Sequence, residues 1–279
     1  MNRHRQWLLG LLVAASLAGP VAAFAADEPS AVINPPPTAK DWADMAKLPD
    51  WSGMWLPDVG DQIKQMTSNP TPWTDKAAAY IQHQMDDMKA GKPDNFFNDC
   101  LPEGMPSWML ISHNAMEVAF TPGRVYLFGE SDSNRLRRIY TDGRPHPDDP
   151  DPTFHGHSIG HWEGDTLVID TIGVVPQAWL AIGESVGIPN NGDMHIVERM
   201  KLAKPDELID TLTITAPHVL TKPWTTTRHF TRERRRDFDM VEGICLEGEF
   251  NPAVDKDGNS IFVPQKFTTD GLRMPIKTP

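Results

Sequence analysis

Long apolar runs are missing from this chain beyond its first two dozen residues, and no later stretch approaches the ~18 consecutive apolar residues of a helical membrane span. Cysteine is scarce as well. Two in 279 residues exclude a disulfide-dense scaffold and leave one bridge at most. Basic residues are outnumbered, 26 Lys and Arg against 38 Asp and Glu, for a net charge of −12. That sign excludes a general nucleic-acid binder, whose footprint must be basic. There is no H-E-x-x-H, no P-loop and no G-x-G-x-x-G in a strand–helix setting. No internal repeat is visible, which argues against a propeller.

What is present points first to export. Arg3 and Arg5 precede a short apolar run from Trp7 to Leu17, and Ala23-Phe24-Ala25 supplies an A-x-A cleavage site. Residues 1–25 therefore read as a signal peptide, and a periplasmic or secreted protein is expected. In that oxidising compartment Cys100 and Cys245 are expected to form one disulfide, worth ~4–5 kcal/mol in the chain-entropy model, with two buried thiols as the alternative. Residues 26–50, with Asn34-Pro35-Pro36-Pro37, read as a Pro-rich extended arm. Residues 51–279 read as a single β-barrel domain.

Asp50-Trp51-Ser52-Gly53-Met54-Trp55 reads as the opening of a strand, and one helix is predicted after it, over about 75–90. Thr74 is its N-cap, Tyr80, Ile81, Gln84, Met85 and Met88 share a face, and Gly91 ends it. From about Ala115 the pattern is β throughout. Met116–Phe120 and Arg124–Phe128 flank a Thr-Pro-Gly turn, and further strands read over Asn134–Tyr140, His157–Trp162, Thr166–Ile172, His195–Leu202, Leu208–Thr215, Trp224–Arg232 and Phe238–Glu247. So many strands without intervening helices must close or stack to bury their edges. The predicted fold is an all-β antiparallel barrel, lipocalin-like in general shape, with one N-terminal helix and long loops.

Several strands place a single ionisable group on the apolar face. Glu198 stands in the row of Met194, Ile196, Met200 and Leu202, and Asp210 in that of Leu208, Leu212 and Ile214. Pairing Leu202 with Leu208 makes these carboxylates diagonal neighbours, and Glu242 occupies a similar position among Phe238, Met240, Ile244 and Leu246. Buried carboxylates require partners or a wet cavity. Arg137, among Arg135-Leu-Arg137-Arg138, and His229 are candidates for that partnership.

A second constellation is denser, with four of the ten histidines within 16 residues, from His146 to His161. With a three-residue turn at Glu163-Gly164-Asp165, His157, Ile159, His161, Leu167 and Ile169 share the inner face. With a two-residue turn His161 faces Val168 instead, and the pattern alone leaves both registers open. His-x-His spacing is compatible with a metal, but no third ligand shows in the sequence, so no metal or other cofactor is assigned. His155, His157 and His161 are candidate acid–base groups, since imidazole titrates near neutral pH. Asp142 or Asp210 is the expected orienting carboxylate, and Arg144 or Arg137 the clamp for developing negative charge. Tyr140 and the aromatic residues, Trp162 among them, are expected to line a pocket for a flat or apolar ligand.

The segments YTDGRPHP at 140–147 and GHSIGHWEGDTLVIDT at 156–171 resemble a family of exported, mostly uncharacterised proteins of environmental Gram-negative bacteria. Asp50-Trp-Ser-Gly-Met-Trp and Cys100-Leu-Pro-Glu-Gly-Met-Pro are similar to the same family, and the likeness covers roughly residues 50–232. Its members usually carry Asn at the position of His155 and a basic residue at that of His161. The resemblance implies export and supplies no reaction.

The expected function is a cofactor-independent lyase or hydrolase, acting by His/carboxylate acid–base catalysis on a small apolar or aromatic molecule in the barrel. No nucleic-acid partner and no membrane insertion are expected. The alternative is a binding or carrier protein with the same cavity and no chemistry. A histidine base predicts an acid limb of kcat/KM between roughly pH 5.5 and 7.5.

Overall fold

The computed structural model describes residues 35–91, 101–111, 113–130, 135–183 and 185–243, together with two short strands within 252–262. In chain order the strands are β1 (Gly53–Pro57), β2 (Met116–Thr121), β3 (Arg124–Gly129), β4 (Leu136–Tyr140), β5 (His157–Glu163), β6 (Thr166–Ile172), β7 (Trp179–Gly183), β8 (Val186–Pro189), β9 (His195–Lys204), β10 (Glu207–Thr215), β11 (Trp224–Glu233), β12 (Pro252–Val254) and β13 (Ser260–Phe262). Nine of them close into a barrel in the order β1-β11-β10-β9-β6-β5-β4-β3-β2, while β7–β8 and β12–β13 form separate hairpins. Four helices accompany the strands: α1 (Ala39–Met45), α2 (Val59–Ser68), α3 (Asp75–Lys89) and α4 (Ser107–Ile111). The fold is an all-β barrel, as the strand pattern predicts.

An odd number of strands in a closed ring cannot alternate in direction all the way round. One neighbouring pair must be parallel, and it is β4 with β5; every other barrel pair is antiparallel. A parallel pair needs a connection that returns along the strands. Residues 141–156 make that return without a helix, and they carry His146 onto the outer face of β5 and β6.

The interior follows the two-residue period. Trp55, Met116, Leu127, Ile139, Leu167, Ile169, Ile196, Met200, Leu208, Leu212 and Ile214 are all buried and belong to one core cluster. Helix α4 is buried along its whole length and packs on β7. At the other end Trp51 closes the core against Trp162 (ring centroids 5.1 Å) and Phe120 (6.2 Å).

Three expectations change here. The arm is not extended throughout, because Ala39–Met45 is helical, capped by Thr38 and Asp41 in a reciprocal capping box. The strand expected over Phe238–Glu247 does not form over its described part, 238–243, and Glu242 lies exposed on irregular chain. Strand β1 takes its place beside β11, pairing Met54 with Glu233 and Trp55 with Arg232. Cys100 and Cys245 fall outside the described residues.

Candidate functional site

Two groups of polar side chains occupy opposite faces of the same strands. The inner group is organised by the predicted register: Leu208 pairs with Leu202, Asp210 with Met200 and Leu212 with Glu198. Glu198 and Asp210 are fully buried diagonal neighbours. Arg137 reaches across the lumen from β4, donating Nη1–H to Glu198 Oε1 at 2.8 Å, with a second contact from Nη2 to Oε2. Its Nη2 also donates to Thr171 Oγ1 (3.0 Å) and Ser158 Oγ (3.2 Å). Arg228 stands directly opposite Asp210 on β11, yet its donors go elsewhere, to the Leu110 carbonyl (2.9 Å), Thr226 Oγ1 (2.8 Å) and the Thr227 carbonyl (2.9 Å). Both Asp210 oxygens therefore lack a hydrogen-bond partner among the described residues while the carboxyls are ionised. Burial pushes the Asp210 pKa up, the neighbouring Glu198 charge adds to it, and a protonated Asp210 can donate to Glu198. Burial likewise pulls Arg228 down to about 10.

His155 belongs to this inner set. Its ring lies 5.3 Å from that of Trp108, and its Nδ1 has no partner among the described residues. Burial, followed by the charges of Arg137 and Arg135, lowers its pKa to about 3, so it is neutral at working pH. Arg135 itself pairs with the buried Glu103. The Arg137–Glu198 and Arg135–Glu103 pairs tie the barrel together, and the unpartnered atoms of Asp210 and His155 are buried away from solvent.

The outer group differs from expectation because of the turn. Strands β5 and β6 are joined through Gly164-Asp165 with Gly164 at φ +61°, and Glu163 pairs with Thr166. This is a two-residue hairpin with glycine first, so His161 faces Val168 and His157 faces Ile172. The inward side chains are Ser158, Gly160 and Trp162, and the histidines of β5 point outward. The expectation of imidazoles inside the barrel is thus corrected: one residue of turn length exchanges the two faces of a strand. His161 is exposed and bonded to Glu163 (3.2 Å). Trp162 packs in the core against Trp51. Asp142 is bonded to Arg144 (Nε–H to Oδ1 2.9 Å, Nη2–H to Oδ2 2.6 Å), so it orients no histidine, and Asp210 lies on the opposite face.

The outward orientation assembles a site that sequence reasoning missed. Asp170, on β6, accepts from His146 Nε2 through Oδ1 (2.9 Å) and from His195 Nε2 through Oδ2 (2.8 Å). His146 Nδ1 lies 2.7 Å from His157 Nδ1. A carboxylate can only accept, so both Nε2 atoms carry hydrogen. In neutral imidazoles His146 Nδ1 is then bare, and the short contact requires the proton on His157 Nδ1. That leaves a lone pair on His157 Nε2, which has no hydrogen-bond partner among the described residues. Tyr140 stacks on His157 (5.4 Å, 22°), and the Arg144 guanidinium lies 4.2 Å from the centroid of the phenol ring. Partial burial lowers the His157 pKa, with His146 and Arg144 adding to the shift.

The sheet explains the convergence. Asp170 pairs with Ile159 on β5 and Val197 on β9, so His157 and His195 are its diagonal neighbours. His146 arrives from the return connection. Asp170 sits within the segment 156–171 singled out above, but a lone outward Asp reads as an ordinary solvated position. Among the described residues no group of three or more His, Cys, Asp or Glu is arranged to hold a metal ion. A separate open cleft of about 710 Å³, lined by Asp61, Lys64, Lys204, Glu207 and His229, holds none of the predicted catalytic residues. No model of a known protein family and no curated protein matches the chain.

Proposed function

We propose that the protein is an exported, cofactor-independent enzyme, a lyase or hydrolase, that uses His157 Nε2 as a general base on a small apolar or aromatic molecule. The observation that carries this reading is the hydrogen-bonded series His157–His146–Asp170. It fixes one tautomer of His157, leaves its Nε2 lone pair unengaged, and keeps a carboxylate beside the ring that would receive charge. A proton taken up at Nε2 can release Nδ1–H to His146, so the positive charge comes to rest against Asp170. Ile159, Ile172 and Val197, half-buried on the same outer face, favour an uncharged substrate. Tyr140 and Arg144 hold the His157 ring in place. Export to the periplasm is part of the proposal and rests on the amino-terminal segment and the resemblance of residues 140–147 and 156–171. The carrier reading is less favoured, because Trp55, Arg137, Ile139, Met200 and Leu212 fill the lumen where a carried ligand would lie.

The test is turnover of small neutral aromatic esters and hydroxy ketones, followed by mass spectrometry. Replacing His157 by Gln should lower the rate by about 10²–10⁴-fold, and Asp170→Asn should lower it as well. The depressed pKa places the acid limb of kcat/KM below the ordinary imidazole value of ~6.5, since the base works only while neutral. Equal turnover by His157→Gln, or a profile flat from about pH 4 to 8, would contradict the assignment.

A further inference from the structure

Asp170 holds a second imidazole, that of His195, which the reading above leaves unused. We propose that His157 and His195 act as a base–acid pair on opposite sides of Asp170, and that the reaction is loss of water from an uncharged β-hydroxy carbonyl compound, or its reverse. This rests on His157 being the base.

The placement comes from the sheet. His157 pairs with Ile172, and extending the β6–β9 register one residue past Thr171↔Ile196 brings His195 level with the same Ile172. The two histidines therefore flank one apolar side chain from adjacent strands on either side, with Cα atoms about 10 Å apart. The half-buried Ile172 lies between them on the outer face and offers an apolar surface to a small molecule. His195 is open to solvent, with 44% of its side chain exposed. Its Nε2 is engaged by Asp170, which leaves Nδ1 to carry a proton towards the substrate.

Asp170 carries one negative charge and offsets one imidazolium at a time. With His195 doubly protonated and His157 neutral, the cluster holds one compensated proton. In the proposed step His157 Nε2 takes the proton from the carbon next to the carbonyl. The C–H pair becomes the new C=C bond, the C–O bond to the hydroxyl breaks with its pair, and that oxygen takes the Nδ1 proton of His195 and leaves as water. The positive charge passes from the His195 side of Asp170 to the His146–His157 side, so the net charge of the cluster is unchanged throughout. No proton crosses the carboxylate; solvent resets both ends. Of the other charged groups around His157, Arg144 is bonded to Asp142 and packs on Tyr140.

The experiment uses the aldol of benzaldehyde and acetone in heavy water, with two readouts by mass spectrometry. Deuterium uptake at the carbon between carbonyl and carbinol reports the base alone, and benzylideneacetone reports the complete elimination. The wild-type chain is expected to do both. His195→Gln should keep exchange within about tenfold of wild type and lose about 100-fold or more in elimination, whereas His157→Gln should lose both. Elimination at the wild-type rate by His195→Gln overturns the pair and leaves His157 as base. Loss of exchange together with elimination in His195→Gln overturns the division of roles. Absence of exchange above buffer in the wild type overturns the base assignment and the pair together.

Discussion

Asp210 is the least compensated side chain in the barrel. It is fully buried, its oxygens have no donor among the described residues, and the arginine opposite it is bonded elsewhere. Its folded pKa lies well above the unfolded carboxylate value of ~3.9, so the folded state keeps a proton that the unfolded chain releases. Stability from this group is full below ~pH 4 and is lost as pH rises towards the folded pKa. Asp210→Asn should therefore melt above wild type at about pH 8, by ~2–4 °C for each kcal/mol recovered, with the difference gone near pH 4. Thermal melts at the two pH values decide it, and a pH-independent difference would contradict the protonated state. His155 has the opposite sign: with its pKa near 3 instead of 6.5, its contribution is full above ~6.5 and is lost as pH falls towards 3. The inner carboxylates were legible in the sequence, because an acid in an apolar row violates the alternation that a half-buried strand demands. Asp170 was not legible, because an acid in an outward row violates nothing.

At the scale of elements, Arg137 joins β4 to β9 across the lumen, two strands away from any backbone pairing between them. Removing it strands Glu198 beside Asp210 as two uncompensated carboxyls. Arg137→Met should cost about 3–5 kcal/mol in denaturant unfolding, and the Arg137→Met/Glu198→Leu double variant should recover most of that loss. A single variant within about 0.5 kcal/mol of wild type would show that the pair does not hold these strands. The pairing of β9 with β10 followed from the sequence because both apolar rows fixed it, although the connection is Pro205-Asp206 and not the five residues 203–207. The β5–β6 register did not, since two- and three-residue readings of Glu163-Gly164-Asp165 differ by one position. The strand opening at Asp50–Trp55 was legible and forms β1, whereas 238–247 alternates apolar and polar residues and yet is irregular over its described part. What favours β1 beside β11 is the docking of Trp55 and Trp51 in the core, which a local pattern does not show.

For the molecule as a whole, the parity of the ring determines where the chemistry can be. Nine strands force one parallel pair, the parallel pair forces a long return connection, and that connection carries His146 onto the outside of β5 and β6. The barrel then serves as a rigid support: its interior is held by apolar packing and the Arg137–Glu198 pair, and its outer face displays Asp170 between three imidazoles. An all-β barrel was legible from strand number and turn spacing, but the side of the wall that bears the site depended on the path of residues 141–156. The central claim is that Asp170, through His146, sets the tautomer of His157. Nitrogen-15 NMR of histidine-labelled protein at about pH 8 measures this directly. The account predicts hydrogen on Nδ1 of His157 and on Nε2 of both His146 and His195, with Asp170→Asn disturbing all three. Hydrogen on Nε2 of His157, with Nδ1 bare, would contradict it.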